Sequence, residues 1–285
     1  MRALNRKLLR DLWHMKGQAL AICLVIMSGV ALFVAQLATL DRLKVTQQEY
    51  YAQYRFADVF AACKRAPESV AGQIAAIEGV DAVQTRIVVD VTLDIPGLDE
   101  PAIGRLVSLP DHGRPVLNDV HLRAGRWPAA DDEVLANEAF AAARGYREGS
   151  TISALLNGRK RVLTITGVGL SPEFIYSIRG GANPLPDDKR FGVLWMPRRG
   201  LESAFDMEGA FNNVALKLGR GASGQEVARR LDMILERHGG FGATLRANQL
   251  SHWFLNNELE QLSRFGVVVP LVFLGVAAFL LNVVL

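Results

Sequence analysis

Charge is absent from two long runs at the ends of the chain, residues 17–40 and 265–285, whereas the stretch between them mixes apolar and polar positions as a water-facing domain does. The first run has 24 residues and the second 21. A helix rises 1.5 Å per residue, so about 20 apolar residues cross a hydrocarbon core of about 30 Å. Both runs therefore predict membrane-spanning helices. The rivals are a cleaved secretory leader for the first run and a buried soluble-core helix for the second. A leader has a shorter apolar region and a small-x-small cleavage site. Ala35 and Ala38 have the wrong spacing for such a site, so a retained span is expected. Pro270 in the second run is compatible with a span whose neighbours satisfy the freed carbonyl.

Beyond the first span, Leu40, Leu43, Gln47, Tyr50 and Tyr54 recur at 3,4,3,4 spacing. Ahead of the second span, Leu255, Leu259 and Leu262 repeat the step. These are candidate seams of a two-helix stalk; ordinary amphipathic helices packed on a domain give the same pattern. Between them lies a weak internal repeat. Residues 58–63 read as a strand, 67–77 as a helix with Pro67 in its first turn, and 80–93 as one or two strands. The order recurs with a strand at 213–218, a helix at 224–238 and a strand at 241–246. Val227, Leu231, Ile234 and Leu235 fall on one face of that helix. Two strand–helix–strand units predict a split ferredoxin-like α+β domain. Residues 98–210 read as a mostly β insertion, punctuated by Gly, Pro and Asp. Within it, 134–144 is predicted helical, with Asp131, Asp132 and Glu133 at its start, and 161–168 is predicted to be a strand. Residues 171–190 are the least regular, with Gly180-Gly181 and the turn at 184–187.

Charge and cysteine content refine this picture. The formal net charge is +3. Arg2, Arg6, Lys7, Arg10 and Lys16 against Asp11 give the first sixteen residues a net +4, leaving −1 for the rest. The basicity is a membrane flank and not a nucleic-acid footprint. By the positive-inside rule it predicts a cytoplasmic N-terminus and an extracytoplasmic 41–264. Cys23 lies in the first span and Cys63 in the soluble part, so no disulfide framework is expected.

No catalytic pattern stands out. The sequence has no GxxxxGK[ST], HExxH or GxSxG. Its histidines (His14, His112, His121, His238 and His252) show no metal-ligand spacing. No enzyme activity, metal or cofactor is expected. Neither span carries an acidic or basic residue, which argues against an ion relay. Ala31 and Ala35 offer a small-xxx-small face for helix packing. Phe174, Ile175, Tyr176, Ile178, Phe191 and Trp195 are a candidate contact patch; buried strand faces explain the same residues equally well.

The order of features, with the local run AGRWPAADDEVLANEAFAAARGYREGSTI at 124–152 and LTITGV at 163–168, resembles the first half of FtsX-like permeases. These are the MacB/LolC/LolE type of ABC transporter membrane subunit. The matching positions are Gly125-Arg126, Glu133-Val134, Ala139, Gly149 and Gly167-Val168, and the opening at 4–34 is similar too. The resemblance implies a basic cytoplasmic segment at 1–16, a span at 17–40 and a stalk at 41–55. It implies Porter-like parts at 56–97 and 211–250, a Sabre-like insertion at 98–210, a stalk at 251–264 and a span at 265–285. It implies a bacterial inner-membrane permease component that transmits ATP hydrolysis by a separate cytoplasmic ATPase to the extracytoplasmic domain, for export or extraction of an amphiphilic substrate. Membrane lipid, a dimer mate or second permease half, and a periplasmic protein are the other implied partners. Such permeases have further spans and a cytoplasmic coupling loop, so the chain is expected to be the front portion of a longer one. The competing expectation is a membrane-anchored extracytoplasmic binding or sensor module without an ATPase.

Overall fold

The structure, a computed structural model, describes residues 16–98, 100–180 and 185–284. The chain divides into two compact units, one holding the apolar helical segments and the other spanning Glu49–Leu255. The basic flank of residues 1–15, Gly181 and Pro184 lie outside the described residues.

Both terminal runs are helical. Helix α1 (Lys16–Gln53) has 38 residues, about 57 Å at the standard rise. It continues through residues 41–53 of the predicted first stalk, and Tyr54-Arg55 turn the chain away. Both α1 and the C-terminal helix are long and apolar enough to cross a membrane. Serine and threonine within α1 are satisfied locally, Ser28 Oγ donating to Leu24 O (2.7 Å) and Thr39 Oγ1 to Ala35 O (2.8 Å). No water is needed to satisfy either hydroxyl.

In the Glu49–Leu255 unit, β1 (Val59–Pro67) is followed by the short helix α2 (Val70–Ala75) and β2 (Val80–Arg86). The chain then builds a second sheet from β3 (Val88–Asp94), β4 (Ala102–Leu109), β5 (His121–Gly125), β6 (Glu133–Asn137), β7 (Thr151–Leu156), β8 (Arg159–Leu170) and β9 (Phe191–Pro197). Helix α3 (Glu138–Arg144) follows β6, and α4 (Arg198–Phe205) follows β9. The chain returns through β10 (Ala210–Leu218), α5 (Gly224–Glu236) and β11 (Gly240–Leu245), and ends in α6 (Leu250–Val284).

The first sheet is antiparallel, in the order β11-β1-β10-β2. Its period-2 alternation sends Val59, Ala61 and Cys63 of β1 and Val214 and Leu216 of β10 to one face. There they meet Ile74 of α2 and Val227, Leu231 and Leu235 of α5. Helix α5 begins with a side-chain N-cap: the Ser223 hydroxyl accepts from Glu226 N at 3.4 Å. Side chains cap both sheet edges. Asp232 Oδ1 accepts from Ala243 N (2.7 Å), and Arg198 Nη1 donates to Thr85 O (3.4 Å). Edges so occupied are poor templates for a foreign strand.

The second sheet runs β5-β8-β6-β9-β4-β3-β7, and β7 also pairs with β8. The six strands from β8 round to β7 therefore form a closed ring. Side chains fill its interior, among them Leu93, Leu106, Ile165 and Leu194. Alternation along β9 sends Leu194 and Met196 inward, and Phe191, Val193 and Trp195 to the opposite face. Gly192 is obligatory within this layer, since a Cβ there would stand 2.6 Å from the Phe140 ring.

Several sequence expectations change. Residues 80–93 form two strands belonging to different sheets, so the second sheet begins at Val88, ahead of residue 98. The helix expected over 67–77 is confined to Val70–Ala75, and Pro67 ends β1. The helix expected over 134–144 begins only at Glu138, because residues 133–137 pair as β6 with β8 and β9. The acidic triplet thus does not open a helix. Glu133 instead receives Arg126 Nη1 (2.8 Å) and the amide of Ala129 (2.8 Å), closing the turn between β5 and β6. The Arg126 hydrogen bond, and after it the Ala129 amide, lowers the Glu133 carboxyl to about 2. Gly125 is required in the same turn: φ is +78°, and a Cβ would fall 2.3 Å from Thr166 O.

Candidate coupling site

Among the described residues no group of His, Cys, Asp and Glu is arranged to hold a metal. The notable chemistry is structural and lies within the Glu49–Leu255 unit, at the last turn of α1 and the first turn of α6.

Tyr50 and Tyr51 lie in the last turn of α1, and Tyr54 follows its end. Tyr50 Oη donates to Leu170 O at the end of β8 (3.1 Å), and burial, with Tyr54 beside it, pushes its phenol well above the usual range. Tyr51 Oη bonds His252 Nδ1 on α6 (3.0 Å), and Tyr54 bonds His121 of β5. This short stretch thereby holds two strands of the second sheet, β5 and β8, and the second helix. Burial, and the Arg246 guanidinium after it, lowers the His252 pKa and favours neutral imidazole.

Helix α6 is tied in through its first residues. Gln249 Oε1 accepts from His252 N (2.7 Å), satisfying an orphan amide of the first turn, while its Nε2 donates to Glu173 O (2.7 Å). Ser251 Oγ accepts from Tyr176 N (3.0 Å). Arg246 donates to Ala57 O and Phe56 O, each at 2.8 Å, pairs with Asp58, and lies over the Phe56 ring.

Behind these contacts is a buried ionic cluster. Arg86 of β2 and Glu173 are 4% and 7% exposed and form a two-pronged pair. The remaining hydrogen-bond capacity is used. Asn213 Oδ1 accepts from Arg86 Nη2 (2.7 Å) and Nε (3.0 Å), and Asn118 Nδ2 donates to Glu173 Oε2 (2.7 Å). Asn118 Oδ1 in turn accepts from Ala57 N (2.8 Å), directly after α1. A chain of hydrogen bonds thus runs from the exit of α1 through Asn118, Glu173 and Gln249 to the start of α6. A buried pair with every partner in place is worth most as a specifier of geometry.

The predicted seam is redistributed. Leu40 and Leu259 are buried, whereas Leu43 and Leu262 are about two-fifths exposed, and Gln47 and Leu255 are half-buried. Tyr50 and Tyr54 serve the clasp. The helix–helix contact instead follows a stripe through Ile22, Gly29, Gln36 and Leu40 on α1 and through Leu259, Gly266, Pro270 and Ala277 on α6. A Cβ on Gly29 would stand 3.2 Å from Phe273 Cβ, and one on Gly266 would stand 2.7 Å from Gln36 Cγ. Gln36 Nε2 reaches Leu262 O at 3.3 Å. Ala31 and Ala35 face outward, so glycine and not the predicted alanine pair makes the close approach.

The predicted contact patch does not form a surface. Phe174, Ile178, Phe191 and Trp195 are buried, while Ile175 and Tyr176 are half-buried. Their apolarity serves the outer layer of the barrel and the underside of the turn after β8. Composition alone missed the Arg86–Glu173 cluster, because nothing in the sequence links two charges 87 residues apart.

No family model matches the sequence, and no curated protein matches it. Solved structures do match. The extracellular domain of the noncanonic ABC-type transporter YknZ from Gram-positive bacteria is 13% identical, covers 66% of this chain and 98% of its own, and gives a TM-score of 0.38. The periplasmic region of MacB from Actinobacillus actinomycetemcomitans is 11% identical over 75% and 98% of the two chains, with a TM-score of 0.40. A domain assigned to a permease protein from Porphyromonas gingivalis is 14% identical over 67% and 90%, with a TM-score of 0.36. The chain is similar to each of these three domains at 11–14% identity.

Proposed function

We propose that the chain is the membrane component of an ABC-type permease, in which helices α1 and α6 carry the effect of ATP hydrolysis on a separate cytoplasmic subunit to the Glu49–Leu255 unit. The observation that carries this reading is the continuity of α1 from an apolar segment into the tyrosine clasp. A helix whose last turn bonds two other elements, β8 through Tyr50 and α6 through Tyr51, moves those elements when it moves. The exposed faces of the two helices support a lipid environment: Leu20, Met27, Leu271 and Phe279 are all more than 60% exposed. In water such surfaces would aggregate.

In this reading the β11-β1-β10-β2 sheet with α2 and α5 is the split ferredoxin-like, Porter-like part, and the closed ring of strands is the Sabre-like insertion. The N-terminus is cytoplasmic, and the Glu49–Leu255 unit lies outside the bacterial inner membrane. The substrate class is amphiphilic, and the partners are the ATPase, membrane lipid, a second permease half or dimer mate, and a periplasmic protein. No catalytic group on this chain takes part. The test is affinity purification of the full-length protein from its native membrane, followed by mass spectrometry. Recovery of a stoichiometric Walker-type ATPase is expected; a protein that repeatedly purifies without one contradicts the proposal.

A further inference from the structure

A cleft of about 510 Å³ opens on the face of the first sheet that α2 and α5 leave uncovered. Phe60 and Asn213 form its floor, the turn after β8 and the start of α6 form one wall, and β3 and β4 form the other. Its volume falls in the range of ligand sites.

Three features define what fits. The fixed charges are already neutralised in pairs: Asp90 with Arg105, through two bonds of 2.8 and 3.0 Å, and Glu173 with Arg86. A charged ligand would lose hydration without gaining a counter-charge. Neutral hydrogen-bonding groups remain open. The Asn213 Nδ2 amide, the Asn248 side chain and the Thr244 hydroxyl line the cleft and make no hydrogen bond among the described residues. Finally, the mouth is rimmed by exposed apolar side chains. Phe241 is 69% exposed and Leu250 43%. Trp253, on the same face of α6 one turn beyond Leu250, is 51% exposed.

We propose that this cleft binds an uncharged, extended peptide segment of a partner protein, with one large apolar side chain entering over Phe60 and the open amides meeting the peptide backbone. An acyl chain filling the same space would leave those amides unsatisfied. A saccharide would bury hydroxyls against Phe60, Phe174 and Ile178. Exposed aromatics around a recessed pocket are the usual anchors of peptide recognition. The inference does not rest on the permease reading, since a binding module would use the same cleft.

The test uses the full chain in lipid nanodiscs and saturation-transfer NMR with acetyl-Gly-Leu-Gly-amide. Competing probes are the same peptide with a free carboxylate, its aspartate analogue, glucose and octanoate. Transfer to the leucine methyls of the neutral peptide is expected, with the charged analogues at least about 5-fold weaker. Phe241→Ser and Asn248→Ala, both at exposed positions, are each expected to weaken binding by about 5-fold or more. Met233→Ser, on the exposed face of α5, leaves it unchanged. Absence of transfer from the neutral peptide, equal transfer in all variants, or preferred binding of glucose or octanoate would overturn the proposal. Equal melting temperatures for variants and parent establish that lost transfer is lost binding.

Discussion

Removing the carboxylate of Glu173 is the most informative single change. In Glu173→Ala the Arg86 guanidinium, 4% exposed, keeps only Asn213 Oδ1 as a partner, and Asn118 Nδ2 loses its acceptor. An uncompensated buried charge costs about 3–5 kcal/mol. For a folded unit of about 200 residues, each kcal/mol shifts the melting temperature by about 2–4 °C, so a fall of about 6–20 °C is expected. The assay is thermal unfolding of the full chain in detergent, followed by near-ultraviolet circular dichroism. The double variant Arg86→Met/Glu173→Leu removes both charges while keeping volume, and is expected to recover most of the loss. A double-mutant cycle then isolates the coupling of the two residues. A single-variant loss below about 1 kcal/mol, within the range of an exposed pair, would refute the buried-hub description.

Further expectations rest on other sites. Gly192→Ala would drive a methyl group into the Phe140 ring and cost about 1–3 kcal/mol by overpacking, read in the same melts. Gly266→Leu would separate α1 from α6 at Gln36, so an engineered disulfide between neighbouring positions of the two helices should form in the parent and fail in the variant. The lowered pKa of His252 means that the unfolded chain binds the extra proton first. Its contribution is therefore present above the ordinary histidine range and falls as pH drops through it. His252→Gln should flatten stability between about pH 7 and pH 5 relative to the parent. The Glu133 carboxyl, held at about 2, contributes above the ordinary glutamate value and loses that contribution as pH falls from about 4.5 towards 2. Glu133→Gln should lessen acid sensitivity in that window.

Much of the architecture was legible because the signals are local. Uncharged runs announce α1 and α6, and alternation with apolar periodicity announces β1, β10, α5 and β11. The misreadings share one cause, which is tertiary pairing. Residues 134–137 have an acidic lead and an alanine-rich continuation, yet β8 and β9 flank them and make them a strand. Phe191 and Trp195 look like a sticky surface until the outer layer of the barrel covers them. The heptad through Leu43 and Leu262 continues the apolar spacing, but the close approach goes to Gly29 and Gly266, where side chains do not stand in the way. Of the coupling site, Tyr50 and Tyr54 were visible as periodic positions. Their hydrogen bonds to Leu170 and His121 depend on strands far along the chain, and periodicity carries no such information.

The central claim is that the two helices transmit nucleotide-driven motion to the domain they hold. It is tested most directly by electron-paramagnetic distance measurement in a reconstituted complex of the full-length protein with the ATPase subunit proposed for it. Spin labels would be placed at Gln48 and Asn256, exposed positions on α1 and α6, with Cys23 and Cys63 replaced by alanine. The account predicts that the inter-label distance distribution shifts between nucleotide-free and ATP-bound states. It further predicts that the shift is lost when a Gly-Gly pair inserted after Gln48 breaks α1. Identical distributions with and without ATP in the active complex would contradict it.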